Sequence, residues 1–178
     1  MTIIYIILII IAAIVIIVLV SAALSPGGYS IERTVDISRP QAEVFDYIKL
    51  TRNQENYSKW VMLDPNSRKT FTGTDGTVGF VYTWDSDNKQ VGQGSQTITA
   101  ITEGSEVKST VKFIKPFEGS LDATMSALPA GRQTRVTWRI AGDRTFMLKV
   151  MHIVLNLQKT LGNDMAESLG NLKAVLEK

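Results

Sequence analysis

The chain has 178 residues with 19 Lys or Arg, 17 Asp or Glu, one His and no Cys, for a net charge of +2. Without thiols there can be no disulfide framework, Cys nucleophile or Cys-bound zinc, and one imidazole cannot build a multi-His metal site. The positive balance is too small and too evenly spread for the clustered basic footprint of a nucleic-acid binder.

Every charged side chain lies between Glu32 and Lys178, and the run Ile3 to Leu24 is apolar except for Tyr5 and Ser21. As a helix rising about 1.5 Å per residue it reaches about 33 Å, enough to cross a hydrocarbon core of about 30 Å. Its Ile and Val would favour a strand in water, but a lone segment in lipid can satisfy its backbone only as a helix. Residues 3–24 are therefore expected to form a single transmembrane helix, residues 1–28 an anchor with its linker, and residues 29–178 one ligand-binding domain. Ser21, Ala22 and Ala23 supply a competing signal-peptide reading, against which the run is long and no Lys or Arg precedes it. Arg33 and Arg39 follow the span, so the positive-inside rule leans toward a cytoplasmic domain.

After Ser25-Pro26-Gly27-Gly28, Tyr29 to Ser38 alternates as a strand through Ile31, Val35 and Ile37. Arg39-Pro40 opens a short helix, Gln41 to Leu50, with Val44, Phe45 and Ile48 on one face. Asn53 to Trp60 reads as a short polar helix or loop, and Asp64-Pro65-Asn66 as a turn. From Arg68 to Gly142 the period is two. Val78, Phe80, Tyr82 and Trp84 share one face, and the following strand runs from Gln90 to Thr102. Val111 and Phe113 then face away from Lys108, Thr110 and Lys112. Leu121, Ala123, Met125 and Ala127 alternate with polar residues, as do Val136, Trp138 and Ile140. The pattern is an antiparallel meander with one wet and one dry face.

Thr145 to Lys178 returns to helical spacing. Met147, Met151, Val154, Leu155, Leu161, Met165, Leu169, Leu172 and Leu176 form one stripe on a helix of roughly 50 Å. Gly162 and Gly170 within it suggest a bend or the close approach of another backbone. His152 falls beside Lys149 and Asn156, well away from the stripe, and is expected to face water.

A strand, two short helices, a meander and a long final helix make an α+β helix-grip order, in which a curved antiparallel sheet wraps the last helix. The chain resembles the START-like (SRPBCC) superfamily, and within it the polyketide cyclase/dehydrase-like branch, with an added N-terminal transmembrane segment. The resemblance runs from Tyr29 to the C-terminus. It rests on Pro40 with Val44-Phe45, Trp60 with Leu63-Asp64-Pro65-Asn66, Gly79 to Trp84, and Val91 to Ser95. Phe113 to Ser120, Thr134 to Gly142, and Leu161-Gly162 through Leu169-Gly170-Asn171-Leu172 complete it. It implies a deep apolar cavity between sheet and helix for lipids, sterols, polyketides or other hydrophobic molecules, and it carries no shared catalytic motif.

The expected cavity lining is Tyr82, Trp84, Gln96, Ile98, Val111, Phe113, Met125, Trp138 and Ile140 from the sheet, with Met147, Met151, Leu155 and Gln158 from the helix. The Met side chains offer an adaptable surface, and Trp84 and Trp138 can pack as core or stack a flat ligand. Gln158 breaks the apolar stripe and needs a partner, for which Gln96, Tyr82, a water or a ligand would serve. The carboxylates fall on wet faces or in turns, so no pair of them is placed in the expected cavity, and the sequence has no phosphate loop, nucleophile elbow or metal-binding cluster; neither a metal nor a cofactor is expected. Gly92-Gln93-Gly94 sits in a strand, where glycine marks a bulge or strong curvature. These features favour a membrane-anchored carrier or sensor. A cyclase- or dehydratase-type enzyme, and a ligand-free accessory module that binds another membrane protein, are the alternatives.

Overall fold

The computed structural model describes residues 2–178. Helix α1, Thr2–Leu24, is followed by strand β1, Gly28–Ile37, and helix α2, Gln41–Ile48. A 3-10 turn at Thr51–Asn56 and the short helix α3, Lys59–Met62, lead into the meander. Its strands are β2 (Arg68–Thr72), β3 (Val81–Asp85), β4 (Gln93–Thr102), β5 (Glu106–Lys115), β6 (Gly119–Ala130) and β7 (Gln133–Asp143). Helices α4, Phe146–Val154, and α5, Leu157–Leu176, close the chain.

The seven strands form one antiparallel sheet in the order β1-β7-β6-β5-β4-β3-β2, so the first strand joins the last. The predicted alternation becomes rows across the concave face. Val107, Met125 and Trp138 sit opposite one another in β5, β6 and β7, and Ser109, Ala123, Ile140 and Ile31 make the neighbouring row. Most of these residues are buried. On the outer face Arg135 donates two hydrogen bonds to the Asp36 carboxylate, at 2.8 and 2.9 Å. Helix α5 crosses the concave face against β1 and β7, burying Met165, Leu169 and Leu172. This is the α+β helix-grip architecture.

The final helical segment is two helices, not the one that the periodicity predicts. Asn156 adopts a left-handed backbone, φ 46° and ψ 47°, which Asn tolerates better than most residues. It ends α4 and opens α5, its carbonyl accepting from the Lys159 and Thr160 amides. The apolar spacing runs through this break without marking it.

The break changes which way side chains point. In α5 the apolar stripe faces the sheet; in α4 it faces outward, leaving Phe146, Met147, Ile153, Val154 and Leu155 exposed. His152 turns inward instead. It is buried, with its ring 5.0 Å from that of Tyr29, against the expectation of a solvent position. Burial, reinforced by Arg144, holds the imidazole pKa below its usual value.

The linker is pinned to the domain. Lys149 Nζ donates to the Ser25 carbonyl at 2.7 Å, and Arg144 Nη2 donates to the carbonyls of Pro26 and Gly28, both at 2.9 Å. The Arg144 amide donates to the Gly27 carbonyl at 2.6 Å. Helix α1 touches the domain through α4, where Ala22 is fully buried, while nearly all the rest of α1 is exposed.

Candidate functional site

Between the concave sheet and the helices lies a cavity of about 280 Å³. Antiparallel pairing places its wall. Tyr82, Gln96, Val111 and Leu121 are successive partners across β3 to β6, and Trp84, Gly94 and Phe113 make the next row. Helix α5 contributes Leu161, and the segment from α2 to α3 contributes Ile48, Thr51, Gln54, Ser58, Trp60 and Val61.

Gly94 decides where Trp84 lies. A Cβ at Gly94 would run into the Trp84 ring and the Lys112 carbonyl, so only glycine lets the indole lie flat across β4. A register shift at Gln93/Gly94 marks the bulge. Gly92, at φ +64°, has no room for a Cβ beside the Lys115 carbonyl. The strand therefore starts at Gln93, later than the expected Gln90. Trp84 Nε1 donates to the Val91 carbonyl at 3.2 Å, and its ring meets Phe113 edge-on at 6.3 Å. The indole is thus satisfied by the protein and presents its apolar surface to the cavity.

The helical wall is held from α5. The Lys59 amide donates to Ser168 Oγ at 2.9 Å, and Lys59 Nζ pairs with Asp164 at 3.0 Å and Glu167 at 2.7 Å. Trp60 Nε1 donates to Asp164 at 3.3 Å, which sets the Trp60 ring 5.4 Å from Trp138, edge to face. The fully buried Tyr57 turns its hydroxyl to Met125 Sδ at 3.6 Å, and burial raises its pKa strongly.

The polar groups of the lining are a minority and, apart from Lys49, uncharged. Ser58, Ser67, Ser109, Thr51, Gln54, Gln90 and Gln96 supply hydroxyls and amides. The titratable lining groups are Tyr82 and Lys49. Burial, with Glu55 nearby, pushes Tyr82 up to about 12. Lys49 pairs with Asp46 at 2.9 Å and Glu103 at 3.0 Å, and those hydrogen bonds raise its pKa. Among the described residues the lining includes no carboxylate or imidazole, and no group of three or more His, Asp or Glu is placed to hold a metal ion.

Of the residues singled out in the sequence, the cavity brings together Tyr82, Trp84, Gln96, Val111, Phe113, Met125, Trp138 and Ile140. Ile98 is buried core further along β4 and is not part of the lining. Met147, Met151 and Leu155 lie outside it, because the helix breaks at Asn156 and α4 carries its stripe away from the sheet; Gln158 keeps the phase of the α5 stripe but lies in the exposed first turn of α5, short of the cavity. The lining from α2 to α3 escapes sequence reasoning because its residues are mixed polar and apolar without a clear period. Trp60, part of the START-like resemblance, is the one signal there.

A family model described as "Polyketide cyclase / dehydrase and lipid transport" matches residues 29–177. The chain belongs to this family. No curated protein matches it in sequence. Among solved structures it is similar to protein MLL2253 from Mesorhizobium loti, at 14% identity and TM-score 0.61, over 83% of this chain and 96% of that one. Protein CV1439 from Chromobacterium violaceum is 12% identical at TM-score 0.59, over 84% and 97% of the two chains. The Aha1 protein from Colwellia psychrerythraea, solved as a dimer, is 13% identical at TM-score 0.59, over 84% and 96%. At these identities the likeness establishes the helix-grip fold of the family and nothing about ligands.

Proposed function

We propose that the protein is a membrane-anchored binding module in which residues 29–178 hold a hydrophobic small molecule or lipid, as carrier or sensor, while α1 crosses the bilayer. The observation that carries the reading is the cavity. At about 280 Å³ it approaches the range of small-molecule sites, roughly 300–1,000 Å³. Its wall is mostly aliphatic and aromatic, with uncharged hydrogen-bonding groups suited to orienting a polar head and one cation, Lys49, already paired with Asp46 and Glu103. For the anchor, α1 is 23 residues long with a mean hydropathy of 3.8 in its most apolar window. That length spans a bilayer core at about 1.5 Å per residue.

The test is native mass spectrometry with lipid extraction of the full-length protein purified in mild detergent. A co-purifying apolar molecule is expected, and Val111→Trp, which fills the cavity from its sheet wall, should abolish it. Absence of any bound molecule in the wild type after exposure to a broad lipid extract would overturn the binding reading. Separately, the chain should stay with membranes through a carbonate wash; release would overturn the anchor.

The family description also includes cyclases and dehydrases, which favours catalysis as the second reading. Tyr82 and Lys49 are then the groups available for proton transfer, and Tyr82→Phe should lower turnover about 100-fold or more while leaving binding intact.

A further inference from the structure

Helix α4 is amphipathic, yet it is mounted with its apolar side out. At 3.6 residues per turn, Phe146, Met147, Val150, Val154 and Leu155 share a broad arc, while Lys149 and His152 occupy the opposite side. The inward side is satisfied: Lys149 holds the Ser25 carbonyl, and His152 packs on Tyr29. The outward arc is bare, with Met147 66% and Val154 62% exposed. In water this costs stability and invites association, so a face of this kind marks a surface that something covers.

What covers it follows from where α1 ends. The bond from Lys149 ties α4 to Ser25, one residue beyond Leu24, the last residue of α1. A helix bound to the terminus of a transmembrane segment lies at the level of the lipid headgroups. There, an apolar outward face with a polar inward one is the arrangement of an interfacial helix.

A second element reaches the same level independently. Gly28 pairs with Asp143 and Phe113 with Gly119, so the start of β1, the end of β7 and the β5–β6 turn all lie at one end of the sheet. That turn exposes Ile114 and Phe117, the latter 64% accessible, with Lys112 and Lys115 beside them. The cavity wall runs to this end as well, through Phe113, Trp84 and Val91.

We propose that the outward face of α4 and the Ile114–Phe117 tip form an interfacial footprint that seats the domain on the bilayer crossed by α1, with the Phe113 end of the cavity turned toward lipid. The proposal deepens the anchored-module reading and rests on it. It also assigns the ligand a source: an apolar molecule enters from the membrane without crossing water.

The absence of native thiols permits a direct test with the full-length protein in phosphatidylcholine vesicles. Single substitutions Met147→Cys, Val154→Cys and Phe117→Cys are labelled with an environment-sensitive fluorophore, alongside Val15→Cys within α1 and Leu128→Cys, an exposed residue at the far end of the sheet. All five positions are exposed, so none of the changes removes core packing. Labels at 147, 154 and 117 should lose most of their fluorescence to a nitroxide placed shallowly on the lipid acyl chain, the label at 15 to a deep nitroxide, and the label at 128 to neither. If 15 is quenched while 147, 154 and 117 behave like 128, the anchor stands and the footprint is overturned. If 15 is not quenched, the anchored reading fails and takes the footprint with it. Labels at 147 and 154 that are shielded from water-soluble quenchers but not reached by lipid nitroxides, and that cross-link copy to copy, would make the face a dimer interface and also overturn the proposal.

Discussion

Helices α4 and α5 adjoin, share an apolar periodicity, and meet opposite fates. In α5 Met165, Leu169 and Leu172 are buried against the sheet. In α4 the equivalent stripe faces outward, and the polar side, with Lys149 and His152, faces the protein. Periodicity therefore identifies an amphipathic helix without saying which side is the inside. Connection geometry decides that, and here the deciding residue is Asn156.

The contrast breaks most visibly in stability. Leu169→Ala, at a position only 1% exposed, should cost about 2–5 kcal/mol as the removed atoms leave a cavity. Met147→Ala in α4 should stay within about 0.5 kcal/mol in detergent, as surface substitutions do. Urea unfolding followed by tryptophan fluorescence measures both. A cost at Met147 approaching that at Leu169 would mean the α4 stripe is core after all.

The inward polar side of α4 has a pH signature. Because burial holds His152 below its unfolded pKa, the unfolded chain takes up a proton that the folded one resists. Stability should be fully present above the unfolded value of about 6.5 and decline as pH falls below it toward the folded value. One group can contribute at most about 1.4 kcal/mol per pH unit. His152→Leu should flatten this part of the profile, whereas a fully hydrated imidazole would leave the profile unchanged on replacement.

The two glycines of α5 sharpen the comparison further. A Cβ added at Gly170 would meet nothing within 4 Å, whereas one at Gly162 would meet the Arg33 guanidinium. Gly170→Ala should stabilise by about 1 kcal/mol through helix propensity alone. Gly162→Ala should fall short of that, because Arg33 must move aside. Equal gains, measured by the same urea unfolding, would show that Arg33 does not occupy the space.

The smallest expected effect concerns the two glutamines. Gln96→Leu, on the cavity wall, should weaken polar-headed ligands by roughly 0.5–1.5 kcal/mol, the worth of one hydrogen bond. Gln158→Leu, at an exposed position outside the cavity, should leave affinity unchanged. A loss at Gln158 in a ligand titration would extend the cavity to the first turn of α5.

These pairs also mark what can be read from the residues. Period-two alternation makes the sheet legible, because a one-residue slip would expose a whole strand face. It places Tyr82, Val111, Met125 and Trp138 on the concave side. Glycine chemistry at Gly92 and Gly94 announces the bulge. The departures at His152, and at Met147, Met151 and Leu155, have one cause: a left-handed Asn changes helical phase without altering composition; Gln158 departs because it sits in the exposed first turn of α5. Gly162 is a site of close approach, as its place in a helix suggests, but the visitor is the Arg33 side chain, not a backbone. Val78, expected on the dry face of a strand, lies before β3 and is exposed.

The pinned linker bears on reach. Three residues, Ser25 to Gly27, separate α1 from β1, so the two elements lie at most about 14 Å apart even with the linker extended. Arg144 and Lys149 hold those carbonyls in place. If α1 crosses a bilayer as proposed, a domain tethered so closely to it has almost no search volume of its own. So anchored, it would not ferry cargo across an aqueous gap as a free shuttle does. On that reading, a bound molecule would be extracted, measured or handed over within a molecular diameter of the membrane.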